Sequence, residues 1–237
     1  WTDSAQIAAL ETADLAQLSS AQVKGLSTAQ LSYLSASQLA AFNTAALAVL
    51  GTSTVGNLGT ASIDSLTSAQ IAALTTLQLK SLTSVQVGAL RTDAIAALSS
   101  AKLAALSTGA LAGLNSVDTA QIAALTIDNV KGLSTAQLRA LSSAQMAALE
   151  TADFDALGTA QLVGLGSTQA AGLTSNQLVT LSSAELSKLS SAFAKALSTG
   201  NIKALTTDQI AGLSTGHLAS WTDSAQIAAL ETADLAQ

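Results

Sequence analysis

The chain has 237 residues, of which 49% are hydrophobic, 10% charged and 3% aromatic, with a formal net charge of -6 and neither Cys nor Pro. The negative charge argues against a nucleic-acid-binding surface, which needs clustered Lys and Arg, and the absence of Cys excludes disulfides and thiolate metal sites. The longest apolar run, Ala45 to Leu50, has six residues, whereas a membrane-spanning helix needs about 20. We therefore predict no membrane span and no nucleic-acid partner.

A long repeat is visible at the two ends of the sequence. The first seventeen residues, WTDSAQIAALETADLAQ, recur letter for letter as Trp221 to Gln237, so the period is 220 residues. We predict that residues 1–220 form one long repeat and that 221–237 start the next identical one. The chain would then be a window cut from a longer protein or polymer. An artificial duplication of these seventeen residues is the alternative.

A short repeat lies inside the long one. Its unit is an octad with the consensus L-S/T-S/T-A-Q-L-A-A, as in LSSAQVKG from Leu18, LTSAQIAA from Leu66 and LSSAQMAA from Leu141. Residues 1–220 contain 27 units, of which 25 have eight residues, while the unit from Trp1 has nine and the unit from Leu114 has eleven. One unit cannot bury its own apolar side chains, so the pattern predicts a solenoid without an internal domain boundary.

The residue types along each octad predict a helix. Counting the leading Leu as position 1, position 2 is mostly Ser, Thr, Asn or Gly, and position 5 is most often Gln, which together make a capping box. Ser19 with Gln22 and Ser134 with Gln137 are examples. Acidic residues gather at positions 2, 4 and 5 and basic residues at positions 7 and 8, as the helix dipole favours. The exceptions are Asp64 and Asp155 at position 7 among the acidic residues, and Arg91 and Lys102 among the basic ones. Ala-rich composition also favours helix over strand.

These features predict an all-α fold, a compact α-solenoid or superhelix with one helix of about seven residues per octad. Each helix would run from position 3 through the next leading residue, with position 6 and that residue facing the core. Position 7 would face water, and the small residue at position 8 would allow either close contact between helices or a tight turn. Since 27 is divisible by three, we expect three helices per turn. A β-solenoid with Ser and Thr ladders at position 3 is the alternative.

We predict no catalytic, cofactor-binding or metal-binding residues. The single His217 takes the place of the capping Gln at position 5, and no second His or Cys exists to share a metal or catalytic site with it. The sequence contains no G-x-S-x-G nucleophile elbow, no phosphate-binding loop and no calcium loop. We therefore expect that the chain is not an enzyme and needs no cofactor.

A few residues depart from the octad pattern. Trp1 and Trp221 replace a leading Leu, and we interpret them as large core residues, with a marker of contact between copies as the alternative. Tyr33 at position 8 and Phe193 at position 5 break the small or polar rule and are candidates for a partner surface. The eleven-residue unit inserts Asn115 to Thr119, which is either a docking loop or a harmless bulge.

Two stretches of the chain carry a family resemblance. The runs LTSAQIAALTTLQLKSLTSVQVGAL, from Leu66 to Leu90, and LSTAQLRALSSAQMAALETADFDAL, from Leu133 to Leu157, resemble the L-T-T-A-Q-I/V-x-A-L tracts of very large bacterial surface or secreted proteins. Such proteins are often labelled as adhesion, haemagglutinin-like or haem-utilisation proteins. The resemblance implies an extracellular, repetitive, structural or adhesive role. One His and no Cys argue against a haem site.

The leading hypothesis is a structural repeat segment of a bacterial extracellular fibre, sheath, surface layer or adhesin stalk. Its partners would be further copies of itself and the cell surface or matrix. The first residues lack a basic region followed by an apolar stretch, so any secretion signal is expected outside this segment. The alternative is a protein that binds ice or another flat surface through regularly spaced Ser and Thr.

Overall fold

The structure, a computed structural model, describes the backbone of residues 4–114 and 119–234 and the side chains of residues 4–114 and 119–230. The described residues form 28 α-helices and no strand. The all-α prediction is therefore confirmed, and the β-solenoid alternative is wrong. The capping groups and charges of each octad favour a helix, and the Ala content gives the strand no competing advantage.

The helices belong to two compact units, Trp1–Ala124 and Leu125–Gln237. The prediction of an uninterrupted 220-residue repeat stays a prediction. The helices of the first unit are α1 Ser4–Ala8, α2 Thr12–Ala16, α3 Ser20–Lys24, α4 Thr28–Ser32, α5 Ala36–Ala40, α6 Thr44–Ala48, α7 Thr52–Gly56, α8 Thr60–Ser65, α9 Ser68–Ala73, α10 Thr76–Lys80, α11 Ser84–Gly88, α12 Thr92–Ala96, α13 Ser100–Ala105, α14 Thr108–Leu111 and α15 Ala120–Ala123. Those of the second unit are α16 Ile127–Gly132, α17 Thr135–Arg139, α18 Ser143–Ala148, α19 Thr151–Asp155, α20 Thr159–Val163, α21 Ser167–Gly172, α22 Ser175–Thr180, α23 Ser183–Leu186, α24 Ser191–Lys195, α25 Thr199–Ala204, α26 Thr207–Ala211, α27 Thr215–Ser220 and α28 Ser224–Asp234.

Each octad makes one helix, and α1 to α27 match the 27 units of the long repeat one by one. The helices begin at position 3, after an extended N-cap at position 2 such as Ser134 (φ -72°, ψ 158°). They have four to six residues rather than about seven, because the leading residue leaves the helix. Leu133, for example, is extended (φ -69°, ψ 133°), while its N–H still reaches the Val130 carbonyl three residues back (3.2 Å).

Helices pack mainly on the third helix along the chain in both units. In the first unit α5 packs on α8 and α10 on α13, and in the second unit α18 packs on α21 and α22 on α25. Within each unit, one turn of the solenoid therefore contains three helices, as the divisibility of 27 by three indicated. A helix of five residues is unstable alone, so the turns before and after it must supply its stability.

The core consists of the leading residues and the residues at position 6, as predicted. Leu138 and Leu141, from one helix and its exit, are both buried. Phe193 is also completely buried, so the prediction that it lies on a partner surface is wrong. Its neighbour at position 6 is the small Ala194, and the Phe ring adds the bulk that this position lacks. Tyr33 is 48% exposed, so its place on a partner surface stays a prediction.

The duplicated seventeen residues adopt two different structures. In the first copy they form two short helices, α1 and α2, separated by an extended Glu11 (φ -74°, ψ 141°). In the second copy the same letters form α28, one continuous helix of eleven residues. Local sequence is identical, so the break in the first copy must be imposed by the surrounding structure.

Glycine at position 8 allows one turn to approach the preceding one closely. A Cβ on Gly172, at the end of α21, would lie 2.2 Å from the Ser143 carbonyl oxygen at the start of α18. A Cβ on Gly212 would lie 2.7 Å from the Ser183 Cβ. The predicted close contact at position 8 is therefore confirmed.

We expect Gly172→Ala to lower the free energy of unfolding by about 1–3 kcal/mol, because the added methyl group forces α21 away from α18. Gly200→Ala is the matched control within the same unit, since the nearest atom to its added Cβ is the Ser198 Oγ at an ordinary 3.7 Å. That control should be neutral or slightly stabilising, because Ala is the better helix former. Denaturant titration followed by circular dichroism measures both, and equal midpoints for the two variants would contradict the packing argument.

Candidate functional site: the glutamine ladder

The Gln at position 5 closes a capping box in many octads. In the octad of Leu133, the Ser134 N–H donates to Gln137 Oε1 (2.9 Å) and the Gln137 N–H donates to Ser134 Oγ (3.2 Å). The same pair of bonds joins Ser19 with Gln22. The capping prediction from sequence is confirmed, and it accounts for the oxygen of the Gln side chain. The amide nitrogen has a separate role.

The amide nitrogen of the same Gln bonds to an earlier turn of the solenoid. Gln78 Nε2 donates to the carbonyl of Leu50 (2.8 Å) and to that of Leu47 (2.9 Å). Gln177 Nε2 donates in the same way to Leu149 (2.6 Å) and Met146 (2.8 Å). The acceptors are the leading residue three octads earlier and the residue at position 6 before it. One side chain thus joins the start of its own helix to the end of an earlier one.

We call this set of side chains the glutamine ladder and define it as the position-5 Gln residues whose Nε2 donates to carbonyls of the preceding turn. Its members in the first unit include Gln38, Gln70, Gln78, Gln86 and Gln121. Its members in the second unit include Gln161, Gln169, Gln177, Gln209 and Gln226.

The ladder satisfies carbonyls that the short helices leave open. The last carbonyls of any helix lack partners within it, and in a helix of five residues they make up most of the backbone acceptors. Gln78 and Gln177 are each only 1% exposed, so little water reaches these carbonyls. A buried acceptor without a partner costs about 1–3 kcal/mol. Each amide of the ladder removes that cost for one or two carbonyls.

Other donors at position 5 take over the same task. Asn201 Nδ2 donates to the Leu173 carbonyl (3.0 Å). His217 accepts from the Ser214 N–H at Nδ1 (3.2 Å) and lies 2.7 Å from the Leu189 carbonyl through Nε2, so the tautomer with hydrogen on Nε2 satisfies both contacts. The prediction that His217 replaces a capping Gln is confirmed. Lys102 Nζ bonds to the Ala72 carbonyl, which explains a cation at the start of a helix.

Position 2 supplies the donor in two octads whose position 5 is Ala. Arg91 stands at position 2 where position 5 is Ala94, and its guanidinium donates to the carbonyls of Leu66 (3.1 Å) and Asp64 (3.0 Å). Asn43 has the same place beside Ala46, and its Nδ2 donates to the Leu18 carbonyl (3.1 Å). The move of the donor from position 5 to position 2 could have been recognised from the sequence. In both octads an amide or guanidinium donor at position 2 accompanies an Ala at position 5.

Trp221 belongs to the core, as interpreted from the sequence. It is 4% exposed, and its Nε1 donates to the Ala194 carbonyl (2.7 Å). Its indole therefore fills space and satisfies a backbone acceptor of the preceding turn. Trp1 lies outside the described residues, as does the insertion Asn115 to Thr119 except for Thr119 itself.

Acidic residues at position 5, such as Glu185 and Asp153, cannot donate as the amide does when they are ionised. Glu185 accepts from the N–H (3.0 Å) and Oγ (2.7 Å) of Ser182, and these hydrogen bonds hold the pKa of its carboxyl below the ordinary value. Asp153 is buried, and its Oδ2 has no partner among the described residues. Burial, and to a smaller extent the nearby charge of Glu150, raises the pKa of Asp153.

The outer surface of the described residues offers few reactive groups. No group of three or more His, Asp and Glu is arranged to hold a metal ion in the part that the structure describes. Among the same residues, no helix is both long and apolar enough to cross a membrane. Exposed apolar side chains are led by Leu77 and Val85, both at position 4 and about two thirds exposed.

Gln177→Glu tests the ladder directly. Glu can keep the cap, as Glu185 does, but it removes the donor and places a charge against two buried carbonyls. We expect a loss of at least about 3 kcal/mol in the free energy of unfolding. Gln22→Glu is the matched control, because Gln22 is exposed and its Nε2 reaches no carbonyl among the described residues. Equal unfolding midpoints for the two variants at neutral pH would contradict the proposed role of the amide.

Asp153→Asn should stabilise the protein at pH 7 by about 1 kcal/mol or more, because an amide can donate where the carboxylate cannot. The raised pKa of Asp153 means that the folded state holds the proton more tightly than the unfolded state does. Its contribution is therefore complete below the ordinary value of 3.8 and is lost as pH rises through the folded pKa. The advantage of the variant should grow over that window, as measured by denaturation from pH 3 to 7; a difference independent of pH would contradict it.

Comparison with known sequence families places the octads in a recognised group. A family model described as the ALTTAQ repeat matches five stretches, residues 7–44, 39–76, 72–100, 146–183 and 194–223. A search of curated proteins found no match. The five stretches cover more than half of the chain and contain most members of the glutamine ladder. The chain therefore belongs to the ALTTAQ repeat family.

Proposed function

We propose that this chain is a structural repeat segment of a bacterial extracellular fibre, sheath, surface layer or adhesin stalk. The observation that supports this most strongly is the uniform turn-on-turn packing, in which the same amide bond and the same core positions recur along both units. Each turn presents to the next turn the same kind of surface as the one on which it packs in the preceding turn. Such a plan allows the array to be lengthened by adding blocks.

The surface chemistry fits a passive, self-associating material. Only 10% of the residues are charged, so neighbouring copies repel one another weakly. Exposed Ser, Thr and Gln offer hydrogen bonds over a large area, and adhesion to a cell surface or matrix would use the same groups. We propose no enzymatic activity and no cofactor, since the position-5 side chains that could carry chemistry are engaged in backbone hydrogen bonds.

The proposed extracellular location is supported by the resemblance to tracts of bacterial surface proteins and by the composition of the chain. A chain without Cys is compatible with an oxidising environment. The alternative, ice or flat-surface binding through position 3, has less support, because several of these hydroxyls are used within the fold. Ser68 Oγ donates to Asp93 Oδ2 (2.8 Å), and Ser175 Oγ donates to the Gly200 carbonyl (3.3 Å).

Chains with one, two and three tandem 220-residue blocks test the structural role. We expect particle length in electron micrographs to rise by an equal increment with each block, because every block continues the stacking of the one before it. Immunogold labelling of intact producing cells with antibodies to the chain tests the location. Particles whose length does not follow block number, or label confined to the cell interior, would overturn the proposal.

A further inference from the structure

One turn of the solenoid in the first unit has no member of the glutamine ladder. The turn of residues 42–65 consists of α6, α7 and α8, which pack on α3, α4 and α5 of the preceding turn, residues 18–41. Its three position-5 residues are Ala46, Thr54 and Ser62. Within the part of the chain that the structure describes, none of these side chains donates to a carbonyl of residues 18–41. The ladder therefore has a gap of one full turn.

Two hydrogen bonds at the ends of this turn partly replace the ladder. Asn43 Nδ2 donates to the Leu18 carbonyl (3.1 Å), and Ser65 Oγ donates to the Ala36 carbonyl (3.1 Å). Asn43 precedes α6, and Ser65 ends α8. Among the described residues, no side chain of α7, the helix between them, hydrogen-bonds to residues 18–41. The side chains of α7 therefore hold it to the preceding turn by apolar packing alone.

The local sequence of α7 does not compensate for this loss. Its residues, TSTVG, include no Ala, and all four residue types favour a helix less than Ala does. Its N-cap is Gly51, which has no side chain to accept from the first helical N–H groups, and α8 has Gly59 in the same place. A Gly N-cap elsewhere is accompanied by a ladder Gln. In α20 and α21 the side-chain oxygens of Gln161 and Gln169 accept from the glycine N–H.

The amide that is missing from position 54 also leaves an acceptor open. Ladder bonds reach the leading residue 28 positions earlier, as Gln78 does at Leu50. The corresponding acceptor for Thr54 is the Leu26 carbonyl, which receives no hydrogen bond from the residues that the structure describes. Packing of α7 on α4 gives this carbonyl no protein donor, whereas separation of the two helices lets water bind to it. The free-energy cost of separation is lower by that amount.

The following turn, residues 66–89, is bound in the opposite way. Its position-5 residues are all Gln, and their Nε2 atoms donate to the leading residues of the turn 42–65. Gln70 bonds to Phe42 (2.7 Å), Gln78 to Leu50 (2.8 Å) and Gln86 to Leu58 (2.8 Å). The chain leaves α7 at Leu58, so the exit of α7 is fixed by an amide. Its start and its contact with α4 are not.

Apolar packing keeps the turn 42–65 closed at rest. Val55, at position 6 of α7, is completely buried, and Ile63 of α8 is buried as well. Opening must expose Val55, but this costs less than exposing Leu79, the buried residue at the same position of α10, because Val has the smaller apolar area. Core, cap and ladder therefore all make α7 easier to open than α10.

We infer that the contact of α7 with α4 is the point at which this part of the array opens, with α7 losing its helix while the turn 66–89 stays folded. Proteins open locally where few interactions hold a segment, at a smaller free energy than global unfolding requires. Under tension, such a segment yields first and lengthens the array without breaking the turns that carry the ladder. This use under load rests on the proposed structural role, whereas the opening itself does not.

Amide hydrogen exchange of the 237-residue chain, followed by mass spectrometry, tests the opening. The comparison is between residues 51–58, which include α7, and residues 75–82, which include α10 at the same place in the next turn. After correction for intrinsic rates, we expect amides of residues 51–58 to exchange at least about ten times faster. Equal rates for the two stretches would overturn the inference.

Thr54→Gln supplies the missing amide and should slow exchange of residues 51–58 by at least about tenfold. The Gly51 N–H can then donate to the new side chain, as Gly158 does to Gln161. Ser53→Gln is the matched control, because it adds the same side chain at the neighbouring exposed position 4. It should slow exchange by less than about twofold. Equal slowing by the two variants would assign the effect to helix propensity and overturn the role of the missing amide.

Gln78→Thr makes the reverse change in α10 and should speed exchange of residues 75–82 by at least about tenfold. Circular dichroism confirms that each variant is folded. An unchanged rate in a folded Gln78→Thr chain would contradict the inference, even if Thr54→Gln failed to fold.

Stretching single molecules with optical tweezers tests the use under load. Because the chain has no Cys, handles can be attached at Lys24→Cys and Ala101→Cys, two exposed positions on either side of the turn 42–65. We expect the first extension step to move to higher force with Thr54→Gln and to stay in place with Ser53→Gln. A first step that neither variant moves would overturn the assignment of α7 as the segment that yields first.

The outcomes separate this inference from the proposed structural role. If tandem blocks lengthen in equal increments while residues 51–58 exchange no faster than residues 75–82, the structural role stands and the opening at α7 is refuted. If residues 51–58 exchange faster but particle length does not follow block number, the opening stands and the structural role is refuted.

Discussion

The side-chain amide at position 5 is the interaction on which this fold depends. Helices of four to six residues leave most of their backbone acceptors without a partner, and the buried setting keeps water from them. Gln satisfies groups at the ends of two helices. Its side-chain oxygen accepts from the N-cap N–H of its own helix, and its amide nitrogen donates to the last carbonyls of another. Glu or Ala can do only part of this. A fold of such short helices therefore favours one residue type. Asn201 and His217 restore the donor where Gln is absent, whereas Glu185 does not.

The sequence predicted the parts of this arrangement that are local. Capping boxes act over three residues, and charge sorting follows the dipole of a single helix. Both could therefore be recognised from the sequence of one octad. The partners of the amide lie 28 to 34 residues away, as with Leu50 and Leu47 for Gln78 and with Val87 for Gln121. Linking them requires the number of helices per turn, which the octad alone does not contain. Arg91 and Lys102 looked like exceptions to charge sorting for that reason, and their acceptors in the preceding turn explain them.

Core volume was less predictable than polarity. Phe193 occupies a position that is usually polar, and the adjacent Ala194 leaves room for it. A pattern interpreted one position at a time assigns such a residue to the surface. In the packed turn, however, the side chains at positions 5 and 6 together fill one space in the core. Helix length was overestimated for a related reason. The leading Leu points into the core like a helical residue, yet its backbone is already extended and directs the chain toward the next N-cap.

The two copies of the duplicated seventeen residues differ where the chain leaves the first helix. In the first copy, Gln38 Nε2 holds the carbonyls of Leu10 (2.9 Å) and Ile7 (2.9 Å), just where the chain leaves α1. In the second copy the same letters run on as the single helix α28. Throughout the ladder, the amide that satisfies the exit carbonyls of one turn comes from the turn that follows it in the chain, as Gln78 does for Leu50 and Leu47. During synthesis, the exit carbonyls of each turn can therefore gain their side-chain donors only after the following turn has been made.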